Sequence, residues 1–488
     1  MQDTKEHRVD MPAILALIAA VVSADVEAPV FFAPNDELRQ YVIEAAENNP
    51  GLKSKYSEWK AALERVPQVT ALDDPMFMYT QFVQSETDRF TVSLEQKFPW
   101  FGMLRARGDK ALAEAQAALS RFYAARNEVF AAVKKAYFEY ALLSESTGIV
   151  EQQVKLLADA EAIVRSRYAL GLNAESDLYR VRIEQEKTRD RLNRLNQSKP
   201  ALAVRLNETL GREAGAEPPW PQPAAFPPTP PPPPAVLAQI RLVNPDLAAM
   251  RHMIESWEKE VTVARKTGYP EFSIGLGYGA MKSMPDVPMP GDPVTGEDGV
   301  TTTPIEWTTQ DVRDDVMVSL KLSLPIWRAR IKAGIREAEL MQDAAANDRR
   351  RAELALDSMA RKVLFDIEDG LRRYNLYKDT LIPEQKQAHE SLQASYAAGD
   401  YMNAATGFID ILDSIRTLLE FQLEQAQAER DVQVACAELE MLMGGPWTSG
   451  EAASPTPEQK DSVAVTAVES QNAAEPEHGG SAGASPSP

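Results

Sequence analysis

The chain has 488 residues, a formal net charge of -20 and a single cysteine, Cys436. That acidic surplus argues against a nucleic-acid partner, which needs a basic face, and one cysteine excludes a disulfide within the chain. Of the four histidines, His7 and His478 lie in the terminal segments, so His252 and His389 stand alone in the body and no metal-ligand cluster is predicted.

Lys5 and Arg8 precede an apolar run from Met11 to Val22, and Val22-Ser23-Ala24 offers small residues for cleavage. This order predicts a secretory signal peptide over residues 1–24. The acidic Asp3, Glu6 and Asp10 belong better to the other reading, a short buried helix. No other stretch approaches the ~18 apolar residues of a spanning helix. A membrane-embedded form of this chain would therefore have to use strands.

A short helix opens at Asn35-Asp36-Glu37-Leu38, and an amphipathic helix follows from about 51 to 66. The period then changes. Residues 77–84 and 90–98, separated by polar Ser85-Glu86-Thr87-Asp88, read as a hairpin of two strands near the length that crosses a membrane. From Leu104 to about 170 there is no proline, and apolar positions step by three and four through Val150, Val154, Leu157 and Val164. Such stepping marks a coiled-coil seam, and roughly 65 residues at 1.5 Å each would span about 100 Å. Gly171-Leu172-Asn173 turns the chain into a returning helix over 174–210.

A proline-rich stretch over 217–234 cannot enter helix or sheet interiors and reads as an extended strap. Beyond it the plan recurs: a helix over 235–266, a strand over 271–279, a long loop over 281–310, a strand over 316–324, and helices over 328–396 and 406–443. Residues 446–488, rich in Ala, Ser, Pro and Glu, have the composition of a disordered tail.

The recurrence is also local. Asn49-Pro50-Gly51-Leu52 returns as Asn244-Pro245-Asp246-Leu247, Ser93-Leu94 as Ser319-Leu320, Tyr168-Ala169-Leu170-Gly171 as Tyr396-Ala397-Ala398-Gly399, and Leu206 as Leu439, at offsets of 195, 226, 228 and 233. Order-preserving self-similarity implies two tandem copies of one unit, over 25–216 and 235–445. The fold class is mixed α and β, each copy a membrane β-hairpin carrying long antiparallel coiled-coil helices. Four strands cannot close without leaving edges in lipid, so a spanning version must oligomerise.

Gly275, Gly277 and Gly279 alternate within a strand and open no helix, which fits a small-residue strand face better than a phosphate loop. Met281, Met284 and Met289 in the loop suit soft Cu(I) or Ag(I), or serve only as an adaptable surface. No catalytic triad, CxxC pair or phosphate-binding loop is present, so neither an enzyme nor a cofactor is implied.

The tandem plan, the Phe98-Pro99-Trp100-Phe101-Gly102 and Leu324-Pro325-Ile326-Trp327 strand exits, the paired Tyr-x-x-Gly turns and Ile409-Asp410-Ile411-Leu412-Asp413 together resemble the TolC-type outer-membrane efflux channels over roughly residues 30–445. The resemblance implies a homotrimer, with a 12-stranded barrel continued by an α-helical periplasmic tunnel. It also implies the outer membrane of a Gram-negative bacterium as location, with outer-membrane lipid around the barrel. The implied partners are a periplasmic adaptor (membrane fusion) protein and an inner-membrane pump of RND or ABC type. The implied function is a passive exit duct for drugs, metal ions or polypeptides.

Without an N-terminal lipobox cysteine, insertion is expected to rest on the barrel alone. Asp410 and Asp413, at i and i+3 on one helix face, would form stacked acidic rings under threefold symmetry, and the resemblance places them at the closed entrance. Asp177 and Arg180 form an i, i+3 pair at the counterpart position in the first copy. The step from Gly399 to Asp410 is five residues longer than that from Gly171 to Asp177, which places an insertion at the second tip. The alternative from another class is a soluble, elongated coiled-coil spacer.

Overall fold

The computed structural model of the protein describes residues 36–85, 88–213, 215–222, 232–281, 287–297, 299, 301–308, 313–398 and 404–445. The signal-peptide and tail expectations, residues 223–231 of the strap, and the tip insertion at 399–403 lie outside the described residues.

Helices α1 (Asp36–Asn48) and α2 (Pro50–Thr70) lead into strands β1 (Met76–Gln81) and β2 (Asp88–Phe98), then into α3 (Met103–Ala169) and α4 (Glu175–Leu210). Helices α5 (Pro233–Val243) and α6 (Pro245–Lys266) precede β3 (Phe272–Met281). The single helix expected over 235–266 is thus two. Asn244 caps α6, its side-chain oxygen accepting from Asp246 N–H (3.0 Å) and Leu247 N–H (3.1 Å). Pro245 has no N–H to lose in a first turn but cannot continue a helix from before it. Asn49 caps α2 in the same way, accepting from Gly51 and Leu52 at 2.9 and 3.2 Å.

After β3, the stretch expected as a loop holds two short antiparallel pairs, β4 (Val287–Pro290) with β7 (Ile305–Thr308) and β5 (Val294–Thr295) with β6 (Thr301–Thr302). Val, Ile and Thr favour the extended backbone there. The chain continues through β8 (Asp315–Leu322), α7 (Arg328–Leu376), a π-helical turn over Tyr377–Leu381, α8 (Ile382–Ala398) and α9 (Ala404–Met443). The π turn has a cause in sequence. Pro383 offers no N–H to the carbonyl four residues back, and a wider turn accommodates the mismatch. Among the described residues no helix is long and apolar enough to cross a membrane.

The chain forms two compact units, one over 48–129 and 243–359 and the other over 36–47, 130–242 and the chain from 360 onward. The first contains a four-stranded antiparallel sheet in the order β1-β2-β3-β8, so β1 and β8 are its edges. The second is helical. Its core includes Val150 with Leu419 and Leu423, and a larger cluster of Leu157, Val164, Val181, Tyr396, Phe408, Ile411 and Ile415.

The described part of the strap is zipped onto α3 in this second unit. Tyr140 Oη donates to Pro218 C=O (3.1 Å), its ring stacks on Trp220 (5.1 Å), and Tyr137 Oη donates to Gln222 C=O (3.0 Å). Arg212, just past α4, is held by two bonds of 2.5 Å to the Glu44 carboxylate on α1.

Helices α7 and α9 meet at Gly370, where an added Cβ would lie 2.6 Å from Val432 Cγ2 and 3.7 Å from Ala428 C=O. A helical glycine costs about 1 kcal/mol against alanine, and this close approach accounts for it. Also on α9, burial first and the nearby Glu145 second push the Glu429 carboxyl up from its ordinary 4.5 to about 7, and Lys378 opposes them.

Gly370→Leu is expected to cost about 1–3 kcal/mol, the range for overpacking a tight contact, read as a lower urea midpoint in detergent. Glu429 binds its proton more tightly folded than unfolded, so its contribution to stability falls as pH rises from 4.5 to about 7. Glu429→Gln should therefore raise the unfolding midpoint at pH 8, leave it nearly unchanged at pH 4, and flatten its slope between. An equal effect at both pH values would contradict this.

Candidate functional site

Strand geometry sends successive side chains to opposite faces, and the register sorts the four strands into two chemically different surfaces. On one, Phe77, Leu94, Leu276 and Val318 form a row across β1-β2-β3-β8, and Tyr79, Val92, Tyr278 and Val316 form the next. Ile274 with Leu320 and Phe272 with Leu322 continue that surface. The opposite face carries Glu95-Gly275-Ser319, Ser93-Gly277-Met317 and Thr91-Gly279-Asp315. It also carries an ion pair between Lys321 and Glu95.

The alternating glycines therefore lie on the polar face. An added Cβ at Gly275 would stand 2.4 Å from Ser319 Oγ, so a side chain there would force the Ser319 hydroxyl to another rotamer. Met76, Met78 and Met317 are the apolar members of this face.

Aromatic side chains bound the apolar face at both ends. At the end nearer the helices, Phe98 stacks on Phe272 with centroids 5.4 Å apart. At the far end Tyr79 stacks on Phe90 (5.8 Å), and Phe90 meets Tyr278 (6.4 Å). The eight residue steps from Phe90 to Phe98 measure about 27 Å along the strand, close to the ~25 Å apolar band of membrane barrels and its flanking aromatic girdles. The apolar rows are solvent-facing in the single chain: Val318 is 77% and Leu276 60% exposed.

The second set of expected site residues lies where α3 turns into α4 and where α9 begins. Asp410 and Asp413 are both exposed, while Ile411 and Leu412 between them are buried in the core, so the two carboxylates share the outward face of α9. Asp410 has no hydrogen-bond or ion-pair partner among the described residues, whereas Asp413 accepts from Arg416 at 3.0 Å. Arg416 also reaches Glu184 on α4 at 2.6 Å, which raises the guanidinium's pKa.

Asp177 is fully buried, unlike the surface partner that its i, i+3 spacing with Arg180 led one to expect. Its carboxylate accepts from Asn173 Nδ2 at 3.1 Å and lies 3.5 Å from Arg180. A network that sequence reasoning missed surrounds it. Tyr396 Oη on α8 donates to Asn173 Oδ1 (2.8 Å), and Arg167 Nε donates to the same oxygen (3.0 Å). Arg167 also donates to Tyr396 C=O (3.0 Å) and lies over the Tyr396 ring at 4.2 Å. Burial raises the Tyr396 phenol's pKa, against the opposing effects of its Asn173 and Arg167 partners.

Two signals in the sequence pointed to these residues. Asp413-x-x-Arg416 repeats the spacing of Asp177-x-x-Arg180, and Tyr396 begins the second Tyr-x-x-Gly turn. Neither spacing discloses that Tyr396 crosses to Asn173.

Among the described residues no three His, Cys, Asp or Glu side chains come together to hold a metal. What the two places offer is an exposed apolar face on one side of a sheet and ordered charge at a helical turn.

Comparison with known proteins agrees with that chemistry. The chain is similar to the pyoverdine export outer membrane protein OpmQ of Pseudomonas putida, 22% identical over 377 residues, or 75% of this chain and 71% of that one. Its fold is that of a membrane protein from Pseudomonas aeruginosa, with a TM-score of 0.70 at 19% identity, covering 86% of this chain and 93% of the other. It is also that of the outer membrane protein VceC of Vibrio cholerae, with a TM-score of 0.66 at 18% identity, covering 84% and 96%. The outer membrane efflux protein family matches residues 42–212 and 236–445. The chain belongs to the outer membrane efflux protein family, as an outer-membrane channel of tripartite efflux systems and not an enzyme.

Proposed function

We propose that three copies of this chain close a 12-stranded barrel, with β8 of each pairing with β1 of the next. Helices α3, α4, α7, α8 and α9 then continue it as a periplasmic tunnel, and the chain's two halves are tandem copies of one unit. The observation that carries the barrel is the two-faced sheet, apolar on one side between aromatic ends and polar on the other, with both edges unpaired. An unpaired edge in hydrocarbon leaves backbone N–H and C=O groups without partners. Four strands per chain also fall short of the about eight that the smallest membrane barrels use. Closure by identical copies removes every edge at once.

In this reading the barrel sits in outer-membrane lipid with the polar face toward the lumen, and the duct is passive. Cargo arrives from a periplasmic adaptor protein and an inner-membrane pump of RND or ABC type. The OpmQ relative is a pyoverdine export protein, which makes pyoverdine a candidate cargo for this duct.

The turn of α3 into α4 and the start of α9 form the entrance. Asp410 and Asp413, exposed on one helix face, would become stacked rings of carboxylates that concentrate cations at a constriction. Asp177 and Arg180 support that constriction from behind, because Asp177 is buried and tied through Asn173 to Tyr396. Opening requires α8 to leave the α3–α4 turn, and the Tyr396–Asn173–Arg167 bonds oppose that movement.

Purified protein in planar bilayers should conduct with a small, cation-selective conductance, and Asp410→Ala/Asp413→Ala should enlarge it or abolish its selectivity. An unchanged conductance would remove the gate while keeping the channel. Tyr396→Phe deletes one hydrogen bond, worth about 0.5–1.5 kcal/mol net, so open probability should rise by roughly 2- to 10-fold. If the variant conducts as the wild type does, the Tyr396 contact is packing alone. Cross-linking in detergent should cap at three chains, and a ladder that stops at two or runs past three would refute the stoichiometry.

A further inference from the structure

The strand-to-helix junctions of the sheet-bearing unit have a composition opposite to that of the chain. Residues 99–108, 265–270 and 323–336 hold eight Lys or Arg and no Asp or Glu, in a protein whose net charge is -20. At the other end of the same strands, residues 282–315 hold eight Asp or Glu and two Lys or Arg.

The register brings the three basic segments to one level. Phe98 pairs with Phe272, and Phe272 with Leu322, so the helix-side ends of β2, β3 and β8 lie side by side. Ser323 N–H donates to Glu271 C=O (2.8 Å), and Lys266 Nζ donates to Phe101 C=O (3.3 Å), which ties the junctions together.

Arg265 pairs with Glu339 and Lys266 bonds to Phe101 C=O, but four of the other cations are unused within the chain. Arg105, Arg328, Arg330 and Lys332 are exposed, and none has an ion pair or a side-chain hydrogen bond among the described residues. Nor do they steady their own helices. The first turns of α3 and α7 contain no acid, and a cation near a helix start is mildly unfavourable. Their neighbours are aromatic, and Phe101, Tyr269 and Trp327 among them are exposed as well. Trp100 stacks on Tyr269 (5.3 Å), Phe101 lies against Phe272 (6.2 Å), and Phe101 and Trp327 are 73% and 72% exposed. Amphipathic rings beside unpaired cations, at the border of an apolar sheet face, match the interface of an anionic lipid leaflet.

We infer that this junction is a collar that binds anionic phospholipid headgroups of the leaflet facing the helices. Trp100, Tyr269 and Trp327 lie at headgroup level, and Arg328, Arg330 and Lys332 meet the phosphates. The collar fixes the depth and tilt of the sheet in the bilayer, because the cationic ring can neither enter hydrocarbon nor leave the phosphate layer without losing its counter-charges. The inference rests on the membrane reading of the sheet.

The test uses the full-length protein reconstituted in phosphatidylethanolamine vesicles with and without phosphatidylglycerol. Co-purifying lipid is counted by native mass spectrometry, and single-channel conductance is recorded in parallel. Wild type should retain phosphatidylglycerol over phosphatidylethanolamine by about tenfold or more at low salt, a preference that shrinks as salt rises. Arg328→Gln/Arg330→Gln/Lys332→Gln should lose most of that preference with conductance unchanged, and Arg328→Lys/Arg330→Lys should keep it.

Equal retention of the two lipids by wild type would overturn the collar while leaving the channel intact. So would a glutamine variant that changes ion selectivity but keeps the lipid preference, since the cations would then face the duct. If the triple variant does not fold, Arg330→Gln alone and the salt series on wild type decide, and a salt-insensitive preference would refute the proposal. Wild type that neither enters vesicles nor conducts would instead remove the membrane reading itself.

Discussion

Hydrocarbon offers no hydrogen bonds, so a backbone that enters it must satisfy every N–H and C=O from within the protein. In the proposed barrel that constraint bears on one four-stranded sheet with two edges free among the described residues. Much else is a consequence. The apolar rows through Leu94 and Leu276 have no protein to cover them, and Val316 and Val318 on the β8 edge face solvent in the single chain. In the proposed trimer one act of association satisfies the edges and turns the sheet into a wall with a lipid side and a water side.

The helical unit obeys a different rule. Its long helices bury apolar seams against one another, so polar side chains within it need partners in place. Gln153 donates to Ile415 C=O and Gln185 to Leu157 C=O, each at 3.0 Å, and both are buried. At the α3–α4 turn the same need draws Asn173, Asp177, Arg167 and Tyr396 into one network. A polar cluster of this kind is well suited to holding one conformation. Each bond is worth little net, yet a partial break leaves buried groups unsatisfied. In the proposed entrance that is the character needed to hold closed and still be opened by a partner.

Charge placement gives the chain a polarity along its strands. Acidic residues crowd the connection between β3 and β8, and unpaired cations crowd the opposite junctions with α3 and α7. The cationic end does not follow from the stability of the local elements, because first-turn cations work against the helix dipole. In the proposed collar, the cationic end belongs to the leaflet that it meets.

Much of the architecture is legible in the residues themselves. The absence of proline from Leu104 to Ala169 and its three-and-four apolar stepping are enough for one long helix, since backbone hydrogen bonding and a buried seam are both local properties. The alternation of Phe90, Val92 and Leu94 against Thr91, Ser93 and Glu95 likewise carries a two-faced strand. The i, i+3 step placed Asp410 and Asp413 on one face.

Other features had no local signature. That β2 neighbours β3, and that Gly275 lies against Ser319, depends on a register between residues distant along the chain. The break at Asn244 needed the capping geometry as well as Pro245. The burial of Asp177, its link through Asn173 to Tyr396, and the gathering of three basic segments at one level are decided by packing of distant parts of the chain. The sequence by itself determined the elements and their chemical faces, because those depend on spacing along one backbone. Only the tertiary structure decided which faces meet and which charges are left without partners, because those depend on distances that the chain order does not contain.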